Sequence, residues 1–228
     1  MWPHITSAVQ AAGSSPMFTW RNGDSRIELS GVTFLNAVSK AANFILDGLE
    51  VESGQPVYVN LGNHWQSPVW NCAVIAAGAV LSDVPAEFNI VNSAQMNEVP
   101  GLVAVVSRDP FGMPERELPS IVVNASAEVR GFGDHFAPRT PTTDETALAT
   151  WGVNVQQARE LAVSLSQLHN ISPGSAVGAA VNEWARTASE WHCFFSIFNK
   201  APLVILDGEF DLQKVAEQER VMHFVDLR

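Results

Sequence analysis

The chain has 228 residues, of which 46% are hydrophobic and 16% are charged, and its formal charge at pH 7 is −11. This much apolar material can form a substantial core, which excludes a disordered chain, and the length suits one large domain or two small ones. Lysine occurs only at positions 40, 200 and 214. A surface that binds nucleic acid needs clustered Lys and Arg, so we exclude nucleic acid as a partner, and we exclude anionic membrane surfaces for the same reason.

The cysteines and the N-terminal sequence indicate the cellular compartment of the protein. Cys72 and Cys193 each lie in an apolar stretch, which is typical of buried, reduced thiols and predicts a cytoplasmic protein. Two cysteines are too few for a zinc cluster, so no metal site is assigned. The N-terminus has no basic region followed by an apolar run, so we expect no signal peptide. The longest apolar stretch, residues 72–81, is too short to cross a bilayer.

The first half of the chain contains one clearly bounded amphipathic helix. Ser30 is a suitable N-cap, because its hydroxyl can accept from a free backbone NH of the first turn, and Gly48 is suited to end the helix. Apolar residues from Phe34 to Ile45 recur between them at helical spacing. In chain order, the predicted elements are a short helix near residues 8–12, an edge strand at 26–29, a helix at 31–47, a buried strand at 57–61, a loop at 62–68, a helix to residue 78, and strands at 87–91, 102–106 and 120–123.

The second half alternates strands and helices more regularly. Residues 124–144 contain Gly and Pro breaks, and we predict a long surface loop or a boundary there. Asp207–Asp211 is typical of a turn with a helix N-cap, because acidic residues there interact favourably with the helix dipole. The predicted elements are strands at 146–150, 176–181, 202–206 and 222–225, and helices at 153–168, 187–198 and 212–220.

The alternation predicts an α/β fold with a mostly parallel sheet and helices on both of its faces. We treat residues 1–228 as one domain, with two sub-lobes at 1–130 and 140–228 joined by the 124–144 loop. Ligands of such folds bind beyond the carboxyl ends of the strands. The predicted strand ends are 62–65, 107–109, Asn124, 151–152, 182–183 and 207–208.

Two of these strand ends carry side chains that suit a ligand site. Asn63 and His64 follow a buried strand and are candidates for ligand contact; the alternative is a loop cap hydrogen-bonded to the backbone. Asn182 and Glu183 follow another strand, and a glutamate there can serve as an acid or base or bind a cation. The alternative is a solvated turn, because isolated carboxylates are usually exposed.

Several catalytic motifs are absent or incomplete. Gly131-Phe-Gly133 is half of a dinucleotide-binding motif without the strand–helix context that the motif requires. The chain has no Gly-x-Ser-x-Gly sequence, which argues against an α/β-hydrolase. His192 and Cys193 are adjacent, so on a helix they point in different directions and do not form a nucleophile–base pair. We therefore assign no catalytic residue.

Residues Ser30–Val80 resemble the start of the acyl-CoA synthetase or AMP-binding family of adenylate-forming enzymes. The resemblance returns at Thr146–Gly152, which is similar to the family's strand before its phosphate loop, and extends in all over about residues 16–225. It implies the fold of that family's N-terminal lobes. The features that carry it are the capped helix at 31–47, the turn at 49–54, the strand at 57–61, Asn63, the apolar helix ending at 77–80, and the segments 158–168, 171–174 and 201–206.

The departures from the family bear directly on activity. The family wraps ATP phosphates in a Ser/Thr/Gly-rich loop with a Lys, whose backbone NH groups and hydroxyls act as donors. Here Thr150-Trp-Gly152 leads directly to Val153. The family's aromatic-His pair aligns with Trp184 and Ala185, so its histidine is absent, and we expect its adenine- and ribose-binding motifs and its C-terminal lid to fall beyond Arg228.

Trp151 and Gly152 stand where the resemblance places the start of the phosphate loop. An indole there can fill the vacated nucleotide space, or it can form the apolar wall of a different pocket. No cofactor is assigned, although ATP, AMP or CoA is what the resemblance implies. High Ala and low Lys content is compatible with a narrower group, the short stand-alone actinobacterial relatives without an assigned activity.

Three functions remain open. The leading hypothesis is a catalytically incompetent relative of the family that retains ligand or partner binding. The second is a half-enzyme that activates a carboxylic acid with ATP together with a separate chain. The third is an oligomeric interaction module, since a large domain missing its second half exposes an apolar face that a homo-oligomer or a partner protein would cover.

Overall fold

The computed structural model describes residues 1–139, 147–148, 153–168, 171, 177–181 and 194–226. The helices are α1 (Trp2–Ala12), α2 (Gly31–Asn43), α3 (Gln66–Ala76), α4 (Ala125–Glu128), α5 (Val155–Leu168), α6 (194–199) and α7 (Leu212–Glu219). The strands are β1 (Pro16–Asn22), β2 (Ser25–Ser30), β3 (Pro56–Asn60), β4 (Val80–Ser82), β5 (Phe88–Val91), β6 (Leu102–Val105), β7 (Val123–Asn124), β8 (Ala147–Leu148), β9 (Val153–Asn154), β10 (Val177–Val181), β11 (Leu203–Asp207) and β12 (His223–Asp226).

The helix predicted to start after Ser30 is confirmed, together with its cap. The Ser30 hydroxyl oxygen accepts from the Thr33 backbone NH at 3.2 Å, which satisfies one donor of the first turn of α2. Beyond Asn43 the chain continues as a π-helical segment, Phe44–Gly48, and the Leu49 NH donates to the Phe44 carbonyl at 2.9 Å. The helical region therefore ends at Gly48, as predicted.

Strand β1 was not predicted, although it pairs on both of its sides. It runs parallel to β11 and antiparallel to β2. Four consecutive residues, 17–20, are buried, so the strand lacks the alternation of apolar and polar residues that marks a strand with one solvated face. The predicted edge strand is β2, which lies at the end of its sheet.

The prediction of a loop or boundary over residues 124–144 is wrong for its first part. Asn124 caps the short helix α4, its side-chain oxygen accepting from the Ala127 NH at 3.2 Å, and a turn of 3₁₀ helix follows at Val129–Gly131. The neighbouring strand was predicted at 120–123, whereas β7 is Val123–Asn124. A four-residue helix is too short to show a periodic apolar pattern, which explains why the sequence did not reveal it.

The prediction that a helix starts at Val153 is wrong by two residues. Val153–Asn154 is strand β9, which pairs antiparallel with β8, and α5 begins at Val155. The register joins Leu148 to Val153 and Ala147 to Asn154. Residues 148 and 153 are thus directly opposite each other in a two-stranded ladder.

The strands form two five-stranded sheets and one two-stranded sheet, so the predicted α/β class is confirmed while the sheet is divided in two. The chain separates into two compact units. Unit 1 comprises Met1–Trp2, Asn36–Leu61 and Val69–Val155, and unit 2 comprises Pro3–Leu35, Gly62–Pro68 and Gln156–Arg228.

The sheet of unit 2 has the strand order β12-β10-β11-β1-β2. All pairs are parallel except β1 with β2. Helix α7 contributes Val215 to a buried apolar cluster with Val204 and Leu206 of β11, and Asp211 caps this helix by accepting from the backbone NH groups of residues 213 and 214. The predicted helix N-cap in the segment Asp207–Asp211 is therefore confirmed at Asp211.

The sheet of unit 1 has the order β4-β3-β5-β6-β7, and every pair is parallel. The chain goes from β3 to β4 on one side and then crosses to β5 on the other, so the strand order reverses between β3 and β5. Ligands of open α/β sheets bind outside the carboxyl ends of the strands at such a reversal. Phe44 and Trp70 form an edge-to-face pair in the core of this unit, with ring centroids 5.8 Å apart.

None of the helices formed by the described residues is long and apolar enough to cross a membrane. The same residues include no group of three or more His, Cys, Asp and Glu side chains that would hold a metal ion. Cys72 is a buried free thiol in α3, whereas Cys193 lies outside the described residues.

Candidate functional site

The loop that carries Asn63 and His64 belongs to unit 2 and is held by its own hydrogen bonds. Gly62 adopts a left-handed conformation with φ of 65°, which turns the chain after β3. The Ser67 hydroxyl donates to the Gly62 carbonyl at 2.6 Å, and the Ser67 NH donates to the His64 carbonyl at 3.0 Å. These hydrogen bonds hold the turn that leads into α3.

Trp20 of β1 anchors this loop. Its indole NH donates to the Asn63 carbonyl at 2.8 Å, and its ring meets the His64 imidazole edge-to-face with centroids 4.8 Å apart. His64 is only 1% exposed, and its Nδ1 accepts from the Gln66 NH at 3.4 Å.

Asn63 and His64 lie in a loop whose backbone is hydrogen-bonded to Trp20 and Ser67. Asn63 is 7% exposed. The ligand role of these two residues remains a prediction. Trp20 is the neighbour that the sequence did not reveal, because β1 itself was missed and the two segments are 43 residues apart.

The carboxyl edge of the unit 2 sheet brings polar side chains together. The Asn22 side-chain amide at the end of β1 donates to an Asp207 carboxylate oxygen at the end of β11, at 2.7 Å. The last residue of β10, Val181, is the register partner of Asp207. Asn182 and Glu183 follow Val181 directly in sequence but lie outside the described residues.

An arginine–glutamate cluster lies on the α7 side of the same sheet. Glu219 accepts from Arg26 Nε at 2.9 Å and Nη2 at 3.0 Å, and it lies 3.5 Å from Arg21 Nη1. The hydrogen bond to Glu219 raises the pKa of Arg26, while burial opposes the shift and Glu28 adds to it. A base whose pKa is higher in the folded protein than in the unfolded chain stabilises the fold at every pH below the unfolded pKa. The contribution of Arg26 to the free energy of unfolding is therefore constant over physiological pH and is lost only in strong alkali.

The carboxyl edge of the unit 1 sheet is also polar. Arg108 Nη1 donates to the Leu61 carbonyl at 3.2 Å, which links the chain beyond β6 to the chain beyond β3. The Ser107 NH donates to the Ser126 hydroxyl at 2.9 Å. The predicted strand ends 107–109 and Asn124 therefore lie on one edge, because β6 and β7 are parallel neighbours.

The position expected for the phosphate loop falls between the antiparallel strands β8 and β9. Since Leu148 pairs with Val153, four residues join the two strands, Ala149-Thr-Trp-Gly152. Trp151 and Gly152 lie within this connection and outside the described residues. The candidate residues Trp151, Gly152, Asn182 and Glu183 thus remain predictions.

Comparison with solved structures identifies the fold. An acyl-CoA synthetase from Brucella canis superposes with a TM-score of 0.75 over 96% of this chain, at 13% sequence identity. The chain shares its fold with about half of that enzyme. Apo MatB from Rhodopseudomonas palustris gives a TM-score of 0.72 over 97% of the chain, also at 13% identity. Identity at this level shows the fold alone.

Sequence comparison gives a nearer relative. A TIGR03089 family protein of Mycobacterium tuberculosis is 36% identical over 124 residues, which cover 50% of this chain and 51% of the relative. The chain thus matches about half the length of that relative, and it spans 49% and 48% of the two solved enzymes. No protein-family model matches the chain.

Proposed function

We propose that this chain is a binding protein built on the adenylate-forming fold and that it does not form acyl-adenylates by itself. The single observation that carries the proposal is the four-residue connection between β8 and β9. The fold of the solved neighbours supports the first part of the proposal, and the composition of the connection supports the second.

Binding a triphosphate demands donors that this connection does not supply. Phosphate sites use several backbone NH groups aimed at the anion, hydroxyls, and a lysine or arginine. The four residues contain one hydroxyl, on Thr150, and one glycine, Gly152, and no lysine. A chain with a net charge of −11 adds general repulsion of a polyanion.

The ligand-binding part of the proposal concerns the carboxyl edge of the unit 2 sheet. The Asn22–Asp207 hydrogen bond supports it, because the pair lies where ligands of parallel sheets bind. Asn182 and Glu183 follow the strand next to Asp207 and are proposed as further contacts. Such a site offers amide donors and carboxylate acceptors to a neutral, hydroxyl- or amide-bearing molecule.

Exchange of pyrophosphate into ATP tests the catalytic half of the proposal. The purified chain is incubated with ATP, Mg²⁺, labelled pyrophosphate and a panel of fatty, aromatic and amino acids. An acyl-CoA synthetase of the same fold serves as the positive control. We expect no exchange above the protein-free blank for any acid. Exchange that rises in proportion to the amount of chain, and that depends on the added acid, would overturn the proposal.

A half-enzyme is the second candidate, and the fold that the chain shares with 49% of the Brucella canis enzyme is the observation that motivates it. In this case a separate polypeptide supplies the remaining half. The discriminating experiment mixes the chain with the C-terminal half of such an enzyme and repeats the exchange assay. Activity in the mixture, with none in either part, favours the half-enzyme; an inactive mixture that nevertheless forms a complex favours the binding protein.

A further inference from the structure

A groove in unit 2 begins at the opposite end of the strands from the proposed binding edge. A cavity of about 190 Å³ lies between the end of α1 and the start of β1, and its wall includes Pro202, which precedes β11. A second cavity of about 340 Å³ shares Ser15, Pro16 and Pro202 with it and extends to Arg26 of β2. The smaller cavity therefore lies at the amino ends of β1 and β11, whereas Asn22 and Asp207 lie at their carboxyl ends.

The smaller cavity has an apolar wall. Alanines 8, 11 and 12 of α1 line one side, and Met17, Ala201 and Pro202 line the other. The hydroxyl of Ser196 also belongs to the wall, but it donates to the Ala201 carbonyl at 2.7 Å and is satisfied within the protein. About six water molecules would fill the volume, so the cavity has room for an aliphatic chain of comparable size.

The charges around the groove are mostly positive, in contrast to the whole molecule. Lys200 lines the smaller cavity, and Arg26, Glu219 and Arg220 line the larger one. Glu219, the one carboxylate among the lining residues, is bound by Arg26. The groove thus favours an anion, although the chain carries a net charge of −11.

The backbone at two of these cations is left-handed because each of them directly follows a helix. Lys200 and Arg220 have φ angles of 52° and 56°, in the left-handed region that favours glycine. The only other residue besides glycine with a positive φ in the described chain is Glu50, which lines neither cavity. Within the described chain, no ion pair includes Lys200, an exposed residue that lines the apolar cavity.

We propose that the smaller cavity binds an aliphatic monocarboxylate, with the hydrocarbon chain against the α1 alanines and the carboxylate paired with Lys200. Burial of the chain supplies the affinity, because apolar surface is removed from water. The ammonium group selects the anionic head over a neutral or cationic one. This site is independent of the proposed binding edge and of any adenylation.

Isothermal titration of the full chain with octanoate, octanol and octylamine tests the proposal. We expect octanoate to bind more tightly than octanol and octylamine to bind least. Lys200→Gln should weaken octanoate binding by about tenfold or more, the equivalent of one charge-assisted hydrogen bond, and should leave octanol binding unchanged. Lys214→Gln, which removes a lysine of α7 that lines neither cavity, is the matched control and should bind like the original chain.

A second pair of variants tests the location of the hydrocarbon chain. Ala11 is an exposed residue at the cavity wall, so Ala11→Leu should fold normally and reduce the affinity for both octanoate and octanol. Gln10→Leu adds a leucine to the same helix away from the cavity and should change neither. Absence of octanoate binding at millimolar concentration would overturn the proposal, as would binding that neither Lys200→Gln nor Ala11→Leu alters in chains whose circular dichroism is unchanged.

Discussion

Glu219 shows how one carboxylate connects segments that are far apart in sequence. Its side chain is 6% exposed and accepts hydrogen bonds from Arg26, while Arg21 lies within ion-pair distance, 198 residues away in sequence. Residues this distant have no local pattern that joins them, so the sequence could not predict the contact. The cluster fixes α7 against β1 and β2.

Replacing this carboxylate should destabilise the protein measurably. Glu219→Gln removes the charge that two guanidinium groups share, and we expect a loss of about 1–2 kcal/mol after allowance for the exposure of Arg26. The control is Glu28→Gln, because Glu28 contacts Arg26 at 2.7 Å with both side chains more than one third exposed. Its effect should stay within about 0.5 kcal/mol. Urea unfolding measures the free energy of unfolding of both variants. Equal losses in the two would contradict the stabilising role assigned to Glu219.

The Asn63–His64 pair illustrates what the sequence predicts about a site at the residue scale. The sequence predicted that both residues lie in a loop after a buried strand, and they follow β3 and precede α3. It did not predict their burial or their contacts with Trp20, because these depend on β1. The order of elements along the chain identifies candidate site residues. Their contact partners lie in segments that are distant in sequence and come close only in the folded protein.

At the scale of elements, capped and periodic segments were predicted more completely than short ones. Helix α2 has a cap, an apolar stripe and an end signal, and each was recognised from the sequence. Strand β8 lies within the strand predicted at 146–150, and β7 overlaps the strand predicted at 120–123, but helix α4 and strand β9 were missed because four and two residues leave no periodic pattern. Strand β1 failed for a different reason, since burial on both faces removes the alternation.

The entry into β6 depends on a glycine for two separable reasons. Gly101 has a φ of 67°, and a Cβ there would collide with the backbone of Glu87, whose carbonyl accepts from the Leu102 NH at 2.8 Å. We expect Gly101→Ala to cost more than about 3 kcal/mol, because strain and a backbone clash combine. The measurement is the urea midpoint of the purified variant.

Two matched glycines separate these contributions. Gly54 has a φ of 81° with open space around it, so Gly54→Ala should cost about 1–2 kcal/mol from the left-handed backbone alone. Gly131 has open space and no positive φ, so Gly131→Ala should stay within about 0.5 kcal/mol. The loss of stability should decrease in the order Gly101, Gly54, Gly131, and any other order would contradict the local geometry described for these glycines.

At the scale of the whole molecule, the resemblance to adenylate-forming enzymes was confirmed as a shared fold. The α/β class followed from alternating helices and strands, and the solved neighbours cover 96% and 97% of the chain. The division into two five-stranded sheets did not follow, because strand periodicity does not state which strands pair. Activity is a separate question, since function depends on the site and not on the fold.

The central claim is that the connection between β8 and β9 cannot hold a triphosphate, and comparing the affinities of ATP and adenosine tests it most directly. Both are titrated calorimetrically into the purified chain with Mg²⁺ present. We expect ATP to bind no more tightly than adenosine, because Thr150 and Gly152 supply too few donors to offset the loss of phosphate hydration. An affinity for ATP ten times that for adenosine or more, about 1.4 kcal/mol of favourable phosphate contact, would contradict the account.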